Sequence, residues 1–252
     1  NRLSLLRPGW LNIRRRAWLV ALFSWLPLPI LVIWQASLVG GGDVLSFARE
    51  AGVHARCLVA TPLLVLAEAT CAPRLNAIIN QFLDGDLVPP ESCLRFRSAL
   101  LSTQRLVSSH VAEVLTVVLT YSLVVAALNS LAPQELPAWM NGPYGFSLAA
   151  WWYLMVSMPM LIILMLCWLW RLLLWGRLLW LLARLKLCLS ASHPDQVGGL
   201  GFVGHSVRAF IVPGVALSTV VAGRAMHDII NTGAVSMPRR SNKPSRTIMR
   251  PW

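Results

Sequence analysis

Residues 193–202 read His-Pro-Asp-Gln-Val-Gly-Gly-Leu-Gly-Phe, and His205 follows shortly after. Imidazole and carboxylate are donors that zinc or manganese accepts, so His193, Asp195 and His205 are the side chains nearest to a metal-ligand set. Their spacing argues against one. Nine residues separate Asp195 from His205, which fits no helical zinc motif, and a capped polar loop with a surface histidine accounts for the same residues. Gly198, Gly199 and Gly201 let the backbone adopt positive φ and bring N–H groups close to an anion or a neighbouring helix. His193, Pro194, Asp195, Gly198, Gly199 and Gly201 therefore form a candidate functional loop, with no metal and no cofactor assigned to it.

Glu68 is the one acid well inside an apolar segment. A carboxylate at a membrane-helix centre costs on the order of 2.5–3.5 kcal/mol, which makes it a functional candidate for proton or ion movement. The plainer reading is a shallow position and an arginine partner, since Arg74 lies six residues away and further arginines follow the later spans. His110 and Glu113 are three apart on one helix face, where a surface pair is favoured over a proton relay. Cys57, Cys71, Cys93, Cys167 and Cys188 show no C-x-x-C pair and read as small apolar residues. No Ser-His-Asp set, Walker loop, nucleotide fingerprint, H-E-x-x-H or G-x-S-x-G is present, so no catalytic residue is assigned and an enzyme is not the expected class.

The elements that would position these residues are membrane helices. Hydrophobic residues make up 56% of the 252 and charged residues 13%, with a mean hydropathy of +0.62, which excludes an ordinary soluble enzyme. Residues 136–170 lack any Asp, Glu, Lys, Arg or His, and their centre exceeds the ~20 apolar residues that cross a bilayer. Spans are expected at about 17–39, 57–73, 114–131 and 148–170. A fifth, 209–223, has only 15 residues between arginines and is expected to be re-entrant or interfacial. Pro27 and Pro29 should kink the first span. Leu75, Ile78, Ile79, Phe82 and Leu83 have the spacing of an amphipathic helix after the second span. Pro90 should open one rod running to about Leu131. Trp168, Trp170, Trp175 and Trp180, interleaved with Arg171, Arg177 and Arg184, mark a span that leaves the bilayer and bends along its surface. Residues 1–236 thus form a single membrane domain, and the basic stretch 237–252 reads as a disordered tail.

The net charge of +12 does not point to nucleic acid, because the basic residues gather at span ends rather than in a stripe with stacking aromatics. Basic residues near span ends stay cytoplasmic, and the alternating segments divide 14 against two. That division predicts a cytoplasmic N-terminus and places the His193 loop on the cytoplasmic side. The lipid bilayer is the one partner this reading names.

His-Pro-Asp also marks J-domain co-chaperones, but there it joins charged amphipathic helices, whereas here a Trp- and Leu-rich helix precedes it and a glycine run follows. The chain over 151–202 instead resembles a family of uncharacterised bacterial polytopic inner-membrane proteins, which carry His-Pro-Asp, two variable residues and Gly-Gly-Leu-Gly-Phe after a Trp- and Arg-rich span exit. The resemblance implies an α-helical inner-membrane protein and carries no activity. Members of that family continue into further apolar segments where this chain turns basic after Gly233, so a truncated or frame-shifted copy is expected. The fold class is therefore all-α, a polytopic transmembrane helical bundle with amphipathic cytoplasmic helices. A transporter-like, sensor or assembly component of the bacterial inner membrane is the expected function. The alternative is a membrane-embedded enzyme using His193, Asp195 and His205 at the cytoplasmic face.

Overall fold

A computed structural model describes residues 10–39, 44–85, 87–130, 137–142, 145–185 and 200–232. They form an all-α polytopic transmembrane bundle in which five helical runs, Ile13–Leu38, Ala51–Asp84, His110–Asn129, Leu148–Ala183 and Gly201–His227, are long and apolar enough to cross a membrane. Helices α1 (Trp10–Trp25) and α2 (Pro27–Val39) make the first run, broken at Leu26 because Pro27 has no N–H for the carbonyl of Phe23. The short helix α3 (Val44–Ala48) turns back along α2. Then α4 (Ala51–His54), a π-helical turn (Ala55–Ala60) and α5 (Thr61–Asp84) form one continuous rod. Helix α6 (Cys93–Val107) follows a single 3-10 turn, Pro90–Ser92, and leads to α7 (His110–Ser130). A two-residue strand pair, β1 (Asn141–Gly142) with β2 (Gly145–Phe146), precedes the fourth run of α8 (Leu148–Trp152), a second π-helical turn (Tyr153–Ser157) and α9 (Met158–Ala183). The last run joins α10 (Gly201–Gly204), a 3-10 stretch (His205–Phe210) and α11 (Ile211–Thr232).

Several elements differ from the sequence expectation. The rod expected from Pro90 to Leu131 is two helices, because Ser108 Oγ turns back to the carbonyls of Gln104 (3.1 Å) and Arg105 (3.4 Å) and ends α6. No separate amphipathic helix follows the second span. Instead α5 passes through Pro73, and Ile78 and Phe82 are its buried face near its end. Likewise α9 runs to Ala183 without a break at Arg171. The fifth segment extends well beyond 209–223, and α11 lies antiparallel to the second rod from Arg74, whose guanidinium donates to the Arg208 carbonyl, to Glu50, which meets His227.

Proline sets much of this local geometry. Each π-helical turn ends just before a proline, Pro62 in one rod and Pro159 in the other. A proline ring clashes with the carbonyl four residues back and leaves it without a donor, and widening the turn relieves both. Thr61 Oγ1 donates to the Arg56 carbonyl at 2.8 Å, and Ser157 Oγ crosses to the Ser24 carbonyl at 2.7 Å. Three apolar layers stack along the bundle: one around Leu28, Phe47, Trp139 and Tyr153, one around Leu64, Leu161 and Ala216, and one around Phe82, Phe96, Leu178 and Phe202.

Candidate functional site

Side-chain ties between rods give their relative depth. Gln35 Oε1 accepts from the Leu148 amide at 3.2 Å, Trp25 Nε1 donates to His54 Nδ1 at 2.9 Å, and Trp168 Nε1 donates to the Leu64 carbonyl at 2.9 Å. Further along the fourth run Trp170 Nε1 donates to the Leu106 carbonyl at 3.3 Å. The start of the second rod is thus level with the middle of the first. Tyr153 sits five residues inside Leu148, ~7.5 Å at the helical rise. The stretch carrying Glu50, His54 and Arg56, which charge alone marks as an external loop, dips into the apolar depth of the bundle.

A polar cluster occupies that depth. Arg56 Nη1 donates to the Tyr153 hydroxyl at 2.6 Å, and Glu50 Oε1 meets His227 Nδ1 at 3.2 Å. Glu50 is buried and its side chain retains 12% exposure, so solvent screens the contact little. His54 accepts from Trp25 through Nδ1 and faces the Phe47 carbonyl through Nε2 at 3.1 Å, a pattern that suits the Nε2–H tautomer. Trp139 stacks edge-on against both Tyr153 (5.8 Å) and Phe47 (5.4 Å) and fixes the phenol ring. Gly52 and Gly223 permit the approach that brings His227 to Glu50: a Cβ on Gly223 would lie 2.8 Å from the Ala55 Cβ and 3.5 Å from the Gly52 Cα.

These groups border a cavity of about 310 Å³ between α4, α7, α9 and α11 and the two π-helical turns. Its polar wall is Glu50, Arg56, Tyr153, Arg224 and His227; its apolar wall includes Leu123, Val124 and Leu128 of α7. Both π-helical turns open onto it, one through Arg56 and the other through Tyr153. Such turns are rare and concentrate at functional sites, and two flanking one cavity mark it out. Two guanidiniums face one carboxylate here, and Arg224 makes no hydrogen bond or ion pair among the described residues. The arrangement can bind and orient a polar group inside an apolar bundle.

None of the described residues that the sequence singled out lines this cavity. His193, Pro194, Asp195, Gly198 and Gly199 fall outside the described residues. Gly201 opens α10 half-buried, and His205 is exposed at the start of the following 3-10 stretch. Among the described residues no three His, Cys, Asp or Glu side chains converge as a metal site. Glu68 pairs with Arg171 at 2.8 Å, both partly exposed, near the level of the break between α6 and α7. It stands eighteen residues along the rod from Glu50, ~27 Å, and takes no part in the cavity. His110 and Glu113 form an exposed pair at 3.3 Å. Sequence reasoning missed Glu50, Arg56, Tyr153, Arg224 and His227. The available signals were the prolines that follow Arg56 and Tyr153, and the spacing of Arg224 and His227, three apart on one face.

No protein-family model, curated protein or solved structure matches this chain.

Proposed function

We propose that this chain is a transporter-like integral protein of the bacterial inner membrane that binds and passes a polar solute, with no covalent chemistry of its own. The observation that carries this reading is the cavity bordered by Glu50, Arg56, Tyr153, Arg224 and His227 within the apolar depth of the bundle. Ionisable groups at that depth are expensive and persist where they face a solute pathway. The charge distribution favours a cytoplasmic N-terminus, which puts the cavity nearer the outer face. The resemblance of residues 151–202 to bacterial inner-membrane proteins agrees with that location.

Uptake of labelled acetate, laurate, inorganic phosphate and methylamine into proteoliposomes tests the reading. At least one should enter faster than into protein-free liposomes. Arg56→Gln and Glu50→Gln should each slow that uptake about tenfold or more, the effect expected from losing a charged hydrogen-bond partner. Uptake that is absent for all four, or indifferent to both variants in folded protein, overturns it.

A further inference from the structure

The geometry points to the chemical class of the solute: we infer that the cavity takes an amphiphilic anion, one carboxylate or phosphate head on an apolar chain, entering sideways from the bilayer. This rests on the reading of the cavity as a solute site. Three observations carry it. First, among the described residues the polar wall holds an excess of positive charge, since Arg56 and Arg224 stand against the single carboxylate of Glu50, which His227 also engages. Arg56 spends its described hydrogen bond on a neutral phenol, and Arg224 has no hydrogen-bond or ion-pair partner among the described residues. Arg224, exposed at the cavity wall, has no counter-ion among the described residues, and a guanidinium fork suits the two oxygens of a carboxylate or phosphate.

Second, the remaining wall is aliphatic: Leu123, Val124 and Leu128 stand on one side, Met158 and Ile162 on another. A small inorganic anion makes no use of such a wall, whereas an acyl chain lies along it. Third, α7 is the least enclosed span, with 11% of its apolar window buried; Thr120 and Val124 are its buried residues, and Leu123 and Val125 are exposed. The cavity opens beside this helix, which gives a ligand dissolved in lipid a lateral path. The head would sit between Arg56 and Arg224, with Tyr153 as a further donor, and the chain would follow α7.

Tritiated laurate binding to the detergent-purified full chain tests this, with dodecylamine, inorganic phosphate and phosphatidylglycerol as competitors. The expected result is one saturable laurate per chain. Arg56→Gln and Arg224→Gln should each weaken it about tenfold or more, while Arg224→Lys, which keeps the charge but loses the fork, should weaken it less than Arg224→Gln does. Competition by phosphatidylglycerol would identify the anion as a bilayer lipid, and its failure to compete would identify a free amphiphile; either supports the inference. Inorganic phosphate competing as well as laurate, dodecylamine binding equally, or absence of saturable laurate binding each overturns it. Thermal melting of each variant in the same detergent separates lost binding from lost fold. If acetate, phosphate or methylamine still enters proteoliposomes through Arg56 and Glu50 while laurate does not bind, the class is wrong and the transport reading stands.

Discussion

Arg56 and Tyr153 meet at 2.6 Å across the interior of the bundle, each on a π-helical turn that ends just before a proline. The widened turns change the direction in which these side chains leave their rods, so the contact is a product of Pro62 and Pro159 as much as of the two residues themselves. This coupling is measurable. Tyr153→Phe removes the acceptor for a charged donor and should cost ~1.5–3 kcal/mol in unfolding experiments in detergent. Pro62→Ala restores a backbone donor and should let the turn tighten, drawing Arg56 off the phenol. Tyr153→Phe should then cost less in the Pro62→Ala background than in the parent, by ~0.5–3 kcal/mol. An equal cost in both backgrounds would mean that proline does not set the turn.

Gly223 provides a second test of how the cavity is assembled. A Cβ there would lie 2.8 Å from the Ala55 Cβ, which neither rod can yield without separating. Gly223→Val should destabilise the bundle by ~1–3 kcal/mol, as overpacking does, and should also weaken laurate binding by pulling His227 from Glu50. Gly214 has open space at its Cβ position, so Gly214→Ala should be neutral or stabilising by ~0.5–1 kcal/mol. Equal melting temperatures for the two variants would disprove the close approach.

The helical membrane class was legible from sequence because it depends on runs of apolar residues, and the 136–170 stretch has no charge to obscure it. The site was not legible for a related reason. Charges mark span ends in a sequence, so Arg49, Glu50 and Arg56 defined an external loop and Arg208 and Arg224 cut the fifth segment to 15 residues. A charge that faces a cavity inside the bundle breaks that rule, since its partner comes from another rod: Glu50 from His227, Arg56 from Tyr153. Pairings over such sequence distances leave no local pattern. Glu68 shows the opposite case. Its place within an apolar run attracted notice, yet its partner Arg171 lies near the end of the third span.

Glu68 and Arg171 should accordingly matter little. Their side chains keep 58% and 37% exposure, and pairs open to this degree contribute ~0–1 kcal/mol. Glu68→Gln should shift unfolding by no more than that and leave proteoliposome uptake within about twofold of the parent. A loss comparable with Glu50→Gln would move the solute path to this end of the bundle.

The antiparallel course of α11 along the second rod makes a prediction about sides. Arg208 lies beside Arg74 and His227 beside Glu50, so the helix traverses the same depth as the rod it accompanies. Ile229, exposed near its end, should then reach the face that carries Asn141, opposite the face that carries Arg97 on α6. Single cysteines introduced at these three positions, in a background with Cys57, Cys71, Cys93, Cys167 and Cys188 replaced by alanine, report this directly. A membrane-impermeant maleimide applied to right-side-out vesicles should label Ile229→Cys and Asn141→Cys together and spare Arg97→Cys. The pattern should invert in inside-out vesicles. Labelling of Ile229→Cys together with Arg97→Cys would return the fifth segment to a re-entrant course, and would require the Glu50–His227 contact to form with both chain ends on one side.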